Sequence, residues 1–315
     1  KEFRDFSSDY INRITKDFKQ KRQINIVWDS GNGSAGIIMK KLSEKMGGKS
    51  ILMFDDVDGN FPNHHPDPSE EKNLRDCIKI LKKNKFDIGI AFDGDGDRIG
   101  IVDDKGRIIP GDQILLIFAR DILSEGKKKI IGDVKCSQVL FDEIERLGGK
   151  AIMCKTGHSH IKVNIKKFSA DLAGEMSGHM FFSDKYFGFD DALYASVRII
   201  NILANGEKKL SEIVDEIPKT FCTPELRIDC EDLKKFDIVK AVTKNLKKSN
   251  CKIIDVDGVR VIFNDGWWLL RASNTQPALV LRCESLTKNG LKKKIEHVKR
   301  ELYKVDGNLS EKIIT

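Results

Sequence analysis

The sequence predicts an α/β chain: two tandem related α/β domains followed by a C-terminal α+β domain with an antiparallel sheet. Three observations predict it. Apolar strand runs alternate with helical periods up to about residue 220. The order strand, loop, helix, double glycine, strand occurs twice. After Phe221, alternating strands are joined by Asp-Gly and Asn-Asp-Gly turns.

The first helix is expected over Ser8–Lys19, where Phe6, Tyr10, Ile11, Ile14 and Phe18 recur at helical spacing. A strand at Ile24–Trp28 leads through Gly31-Asn32-Gly33 to a helix marked by Ile37, Ile38, Leu42 and Met46, which stops at Gly47-Gly48. Ser50–Phe54 reads as a strand. Pro62, Pro66 and Pro68 keep the next segment out of helix and inner strand. Leu74, Cys77, Ile78 and Leu81 mark another helix, and Phe86–Phe92 another strand. Ile130–Asp133, a helix, Gly148-Gly149 and Ala151-Ile152 repeat the opening pattern. The last part reads as a strand at Glu225–Cys230, a helix at about 232–247, strands at Val259–Phe263, Trp267–Arg271 and Leu279–Arg282, and a closing helix through Leu291, Ile295, Val298 and Leu302. The expected domains are residues 1–124, 125–220 and 221–315.

Hydrophobic residues make up 40% of the 315 and charged residues 33%, a globular balance with material for several cores. No apolar run approaches the roughly 20 residues that span a membrane, and Lys1–Asp5 carries no apolar leader segment. The first residue is Lys, not Met, which suggests that something upstream has been removed. Seven Cys are scattered singly with no C-x-x-C pair, the pattern of reduced, mostly buried thiols in a cytoplasmic protein. The net charge of +7 is spread over helix faces and not clustered with aromatics. That argues against nucleic acid and for a mild attraction of anionic substrates.

The sharpest chemical signal is Asp93-Gly94-Asp95-Gly96-Asp97-Arg98, directly after a strand. Three alternating carboxylates can converge on one hard cation, and an all-oxygen set favours Mg²⁺ over Zn²⁺. An EF-hand is excluded, because its sixth and twelfth positions fall on Arg98 and Asp104. A haloacid-dehalogenase-type phosphatase also sets Asp-x-Asp after a strand, with the first Asp as nucleophile, and competes from another enzyme class. The second signal is Gly174-Glu175-Met176-Ser177-Gly178-His179, whose Glu175, Ser177 and His179 can exchange hydrogen bonds with sugar hydroxyls. The third is Arg271-Ala272-Ser273-Asn274-Thr275-Gln276-Pro277. Arg271, Ser273, Asn274, Thr275 and turn N–H groups suit a phosphate dianion, and a capped turn is the blander alternative. Lys135 and His158 follow equivalent strands of the second repeat, where open α/β sheets bind ligands.

These motifs, in this order, resemble the α-D-phosphohexomutase superfamily of the bacterial phosphomannomutase/phosphoglucomutase type. The resemblance extends to His64-His65-Pro66-Asp67-Pro68, Asp133-Val134-Lys135-Cys136, Lys155-Thr156-Gly157-His158 and Gly188-Phe189-Asp190-Asp191. It implies a Mg²⁺-dependent mutase that moves phosphate between positions 1 and 6 of a hexose through a hexose 1,6-bisphosphate. By resemblance, Asp93, Asp95 and Asp97 hold Mg²⁺, and Arg98, Lys135 and His158 contact substrate or assist proton transfer. Glu175 and Ser177, with His179 close behind, bind the sugar; Arg271, Ser273, Asn274 and Thr275 bind its phosphate. Met176 resembles mannose and glucose enzymes.

The family has four domains, and this sequence resembles the second, third and fourth. The Thr-x-Ser-His-Asn-Pro loop that carries the family's phosphoserine does not occur in these residues. Ser159-His160 is followed by Ile161-Lys162 and precedes an expected helix, and Ser34 and Ser137 lack the matching neighbours. The resemblance therefore implies no nucleophile within this chain, a missing N-terminal domain and no turnover by the chain alone. A non-catalytic phosphosugar-binding fragment is the further alternative.

Overall fold

A computed structural model describes residues 5–249 and 251–313. The start of the chain, Lys1–Arg4, on which the absence of a leader was partly read, lies outside the described residues. The chain forms two compact units. One holds residues up to Gly132 together with Asp142–Ile152 and Gly157–Ile217; the other holds Asp133–Phe141, Met153–Thr156 and the residues from Pro218 onward.

The first sheet has the order Ser50–Met53, Ile26–Asp29, Ile88–Phe92, Ile99–Asp103, Ile108–Ile109. Its first three strands are parallel, as the alternation of strands and helices requires. The last two run antiparallel, because the chain turns straight back after the acidic loop without a crossover helix. Val27, Leu74, Cys77, Leu81 and Val102 pack on one face of this sheet. The second sheet has the order Lys150–Cys154, Lys129–Asp133, Leu172–Gly174, Met180–Phe182. Again a parallel strand is followed by an antiparallel one. The two sheets share one strand order, which gives the sequence repeat a structural counterpart.

The helix expected over Ser8–Lys19 is shorter, Ser7–Ile14. The segment after it is drawn off by other partners: the Lys19 N–H donates to Asn201 Oδ1, and the Lys21 and Arg22 N–H groups donate to the Ala204 carbonyl. Ser159 and His160 do not precede a helix; they lie inside His158–Phe168. Two buried helices, Gly111–Leu123 and Ala192–Asn205, were not anticipated. Both are apolar on nearly all sides, so neither shows the one-sided period of a surface helix.

The C-terminal sheet is antiparallel, with Leu226–Asp229, Gly266–Ala272 and Val259–Phe263 around the long strand Ala278–Ser285. One face buries Val242, Leu246, Trp268, Leu281 and Val298 beneath the helices Lys235–Lys248 and Lys288–Tyr303. The other face packs Trp267 and Leu269 against Val134. Arg260, fully buried, donates to the carbonyls of Val134 and Cys136 at 2.7 Å and lies 3.7 Å over the Trp267 ring. These bonds explain why Asp133–Phe141, expected to belong with the second α/β repeat, clusters with the C-terminal sheet. Among the described residues no helix is long and apolar enough to cross a membrane. All seven Cys are free thiols, five of them buried, with Cys222 exposed and Cys251 partly so.

Candidate functional site: an acidic loop, a glutamate–histidine loop and an arginine turn

The acidic loop is built around one buried carboxylate. Asp93 is 3% exposed. Its Oδ1 accepts the N–H groups of Gly96, Asp97 and Arg98 at 3.0, 3.0 and 3.1 Å. Its Oδ2 accepts Arg98 Nε at 2.7 Å, while Arg98 Nη1 donates to Asp67 at 3.0 Å. The loop needs a left-handed residue to curl this tightly, and Gly96 supplies it at φ +76°. Burial pushes the Asp93 carboxyl up to about 6 against the pull of the Arg98 hydrogen bonds, and the Asp97 charge adds to the rise. Ligand oxygens of Asp93, Asp95 and Asp97 lie within 4.8 Å of one another, and Asp95 is exposed. With Oδ1 saturated by the backbone, Oδ2 is the Asp93 oxygen left for a cation. The set is all oxygen and fits Mg²⁺.

The second loop joins the acidic loop directly. The Ile99 N–H donates to the Gly178 carbonyl at 3.1 Å, and Arg98 bridges His179 in antiparallel fashion. Gly178 has φ +98°, and a Cβ there would stand 2.6 Å from the Ile99 carbonyl oxygen, so the close approach depends on glycine. His179 sits between carboxylates, with Nε2 3.3 Å from Asp97 and Nδ1 3.2 Å from Glu175 and 2.8 Å from Ser177 Oγ. Burial alone would favour the neutral ring. Hydrogen bonds to Asp97 and Glu175 outweigh it and raise His179 to about 9. The His179 hydrogen bond in turn lowers Asp97 to about 2. Glu175, 2% exposed, also accepts the Gly157 N–H at 2.6 Å, which anchors the start of the helix carrying His158. His158 is largely exposed, its ring stacked 6.1 Å from His179 and its Nδ1 3.4 Å from Asp190. One compact unit thus gathers Asp93, Asp95, Asp97, Arg98, Glu175, Ser177, His179 and His158.

The other unit gathers the remaining predicted residues. Arg271, 5% exposed, donates from Nε to Asp257 at 2.9 Å, and its Nη2 is buried without a hydrogen-bond partner. Asp257 also accepts the Thr156 N–H at 3.2 Å. The Ser273 hydroxyl accepts the N–H groups of Thr275 and Gln276, so it caps the turn, while Asn274 and Thr275 are exposed. Lys135 donates to Glu225 at 3.1 Å. Burial opposes its charge, but Asp133 and Glu225 outweigh burial and hold its pKa above the ordinary value. Lys155 and Thr156 belong to this unit and Gly157 and His158 to the other, so the Lys155–His158 motif is divided.

Sequence reasoning passed over Asp67, Glu225, Asp257 and Asp190 as individual site residues. Asp257 was read only as part of an Asp-Gly turn, and Glu225 only as the start of a strand. Asp67 and Asp190 stood inside motifs without a role. Their partners are distant in sequence, and no local pattern marks such pairs.

Three family models match consecutive stretches: phosphoglucomutase/phosphomannomutase alpha/beta/alpha domain II over residues 8–106, alpha/beta/alpha domain III over 110–221, and the C-terminal domain over 225–300. The chain is 44% identical over 301 residues to a phosphomannomutase/phosphoglucomutase of Pseudomonas syringae pv. tomato, covering 95% of this chain and 65% of the relative. It is 45% identical over 293 residues to a phosphoglucomutase of Neisseria gonorrhoeae, covering 92% of this chain and 64% of that one. The crystal structure of a phosphoglucomutase/phosphomannomutase family protein from Burkholderia thailandensis superposes with a TM-score of 0.90 at 39% identity, covering 100% of this chain and 66% of that one. The chain therefore spans just under two thirds of the length of the relatives it matches.

The carboxylate cage around His179 yields a pH prediction. Glu175→Gln removes one of the two charges that raise the imidazole, so its pKa should fall from about 9 towards the ordinary 6.5, by about 1 unit or more. An NMR titration of the His179 ring checks this. An unchanged midpoint would show that Glu175 does not set the charge of His179.

Proposed function

This chain belongs to the phosphoglucomutase/phosphomannomutase family, and we propose that it supplies the metal, sugar and phosphate loops of a mutase acting on hexose phosphates. The reaction is transfer of phosphate between positions 1 and 6 through a hexose 1,6-bisphosphate. The observation that carries this reading is the direct bond between the acidic loop and the Glu175–His179 loop. It sets cation ligands beside groups able to orient sugar hydroxyls.

In this reading Asp93, Asp95 and Asp97 hold Mg²⁺. When bound, the ion offsets the charge of a transferring phosphoryl group. Arg98, fixed by Asp93 and Asp67, faces the same phosphoryl oxygens. Glu175 and Ser177 accept and donate hydrogen bonds to the hexose, and His179 donates beside them. Arg271 offers its unpartnered Nη2 to the other phosphate, with the exposed Asn274 and Thr275 and the N–H groups of their turn. Ser273 shapes that turn more than it binds. Lys135 and His158 assist proton transfer or anchor the substrate. The proposed functional division is 1–124, 125–220 and 221–315, and the proposed location is the cytoplasm. Met176 favours mannose and glucose substrates.

None of the serines in these 315 residues has the surroundings of the family's phosphoserine, so the nucleophile comes from outside them. The phosphatase alternative makes Asp93 the nucleophile. Its Oδ1 accepts three backbone N–H groups, and Oδ2, the one oxygen open to the cation, is already bonded by Arg98, so with the ion bound neither oxygen is left to attack.

Calorimetric titration of Mg²⁺ should give a binding signal that Asp95→Asn abolishes; undiminished affinity in that variant contradicts the metal assignment. Arg271→Ala should weaken mannose 6-phosphate or glucose 1-phosphate binding by about 1.5–3 kcal/mol, the range for a charged hydrogen bond, and leave free mannose unaffected. Equal losses for both would show that the turn does not bind phosphate. In a coupled assay with a hexose 1,6-bisphosphate activator, the 315 residues alone should not turn over. Adding a phosphoserine-bearing family domain, in one chain or in trans, should restore turnover. Robust activity without it would place a nucleophile within this chain.

A further inference from the structure

We propose that Asp97, His179 and Asp190 form a second cation site, suited to Zn²⁺ or a similar transition ion and distinct from the all-oxygen set of Asp93, Asp95 and Asp97. One donor atom from each of the three residues lies within 4.8 Å of the others. His179 Nε2 and Asp97 Oδ1 are 3.3 Å apart. Two ligands bound to one tetrahedral ion at about 2.0–2.1 Å stand about 3.3 Å from each other, so this pair already has the spacing of a shared ion.

An independent observation comes from Asp190. Its side chain is 7% exposed, and Lys162 donates to its Oδ1 at 2.7 Å. Its Oδ2 is buried and has no hydrogen-bond partner. A buried carboxylate oxygen without a hydrogen bond is costly away from water, and a cation satisfies it more fully than the His158 ring 3.4 Å away. The ring of His179 is held for ligation as well. Its Nδ1 faces Glu175 Oε2 at 3.2 Å and Ser177 Oγ at 2.8 Å, and a bound ion takes the place of the Nε2 proton that faces Asp97, which leaves to solvent. A carboxylate behind a histidine ligand fixes the tautomer and raises the basicity of the metal-facing nitrogen. Three protein ligands of mixed N and O type leave a fourth position open, the arrangement Zn²⁺ takes at sites that exchange a ligand. His158 lies at the rim, with Nδ1 3.4 Å from Asp190 Oδ2.

Asp97 faces both sets. If the acidic loop holds Mg²⁺, as proposed above, an ion on the histidine side draws one carboxylate away from it. Zn²⁺ is then an antagonist of Mg²⁺ acting through Asp97, without occupying the Mg²⁺ position.

The experiment is a pair of titrations, Zn²⁺ and Mg²⁺, on the native chain and on Asp190→Asn and Asp95→Asn. Asp190→Asn should weaken Zn²⁺ by more than about tenfold and leave Mg²⁺ nearly unchanged, and Asp95→Asn should do the reverse. Loss of Zn²⁺ in Asp95→Asn with retention in Asp190→Asn would place the ion in the acidic loop and overturn the proposal, as would no Zn²⁺ binding by the native chain. Absence of Mg²⁺ binding throughout would contradict the acidic-loop reading and leave the Zn²⁺ arm decisive for this one. Co²⁺ substitution guards against the seven thiols. The native chain should give a visible band without thiolate charge transfer. A thiolate band that persists in Asp190→Asn would assign the ion to cysteine and overturn the proposal. Should Asp190→Asn lose its far-UV circular dichroism, His179→Gln takes its place with the same expected loss.

Discussion

Everything at the candidate site depends on keeping the Asp93 carboxylate charged while it is buried. A carboxylate taken out of water must be paid in hydrogen bonds or counter-charge, and Asp93 receives three backbone N–H groups and a guanidinium. Those bonds dictate the shape of the loop. They pull residues 96–98 back over the end of the strand Ile88–Phe92 and start the antiparallel strand Ile99–Asp103. That strand then meets Gly178, which brings His179 to Asp97. The position of the Glu175–His179 loop is thus a consequence of how one buried charge is satisfied.

A second cluster of charges organises the other compact unit on the same principle. Asp257 takes one edge of the Arg271 guanidinium and leaves Nη2 without a partner. Arg260 and Arg282 donate to the carbonyls of Val134, Cys136 and Lys135, so the segment carrying Lys135 is fixed to the C-terminal sheet by buried arginines. Lys135 is satisfied by Glu225 and the nearby Asp133. In both units a basic group is oriented by a carboxylate that the motif itself does not contain.

Much of this was legible in the sequence, for identifiable reasons. The strand Phe86–Phe92 and the acidic run after it are contiguous, so their pattern survives in one dimension. The turns at Asp257-Gly258 and Asn264-Asp265-Gly266 are likewise local. The buried helices Gly111–Leu123 and Ala192–Asn205 were not legible, because an element apolar on nearly all sides shows no face. Nor was the antiparallel return at Ile99–Asp103, which follows from the hydrogen bonds of Asp93 and not from a turn signature. The pairs Arg98–Asp67, Lys135–Glu225 and Arg271–Asp257 join residues 31, 90 and 14 positions apart, and only the fold makes them neighbours.

The central claim is that the acidic loop and the Glu175–His179 loop act as one charged unit through the Asp97–His179 contact. A double-mutant cycle on glucose 1-phosphate binding, with Asp97→Asn, His179→Gln and both together, tests it most directly. Residues in one hydrogen-bond network couple by about 0.5–3 kcal/mol, and the account predicts a coupling in that range. Strict additivity of the two substitutions would contradict it.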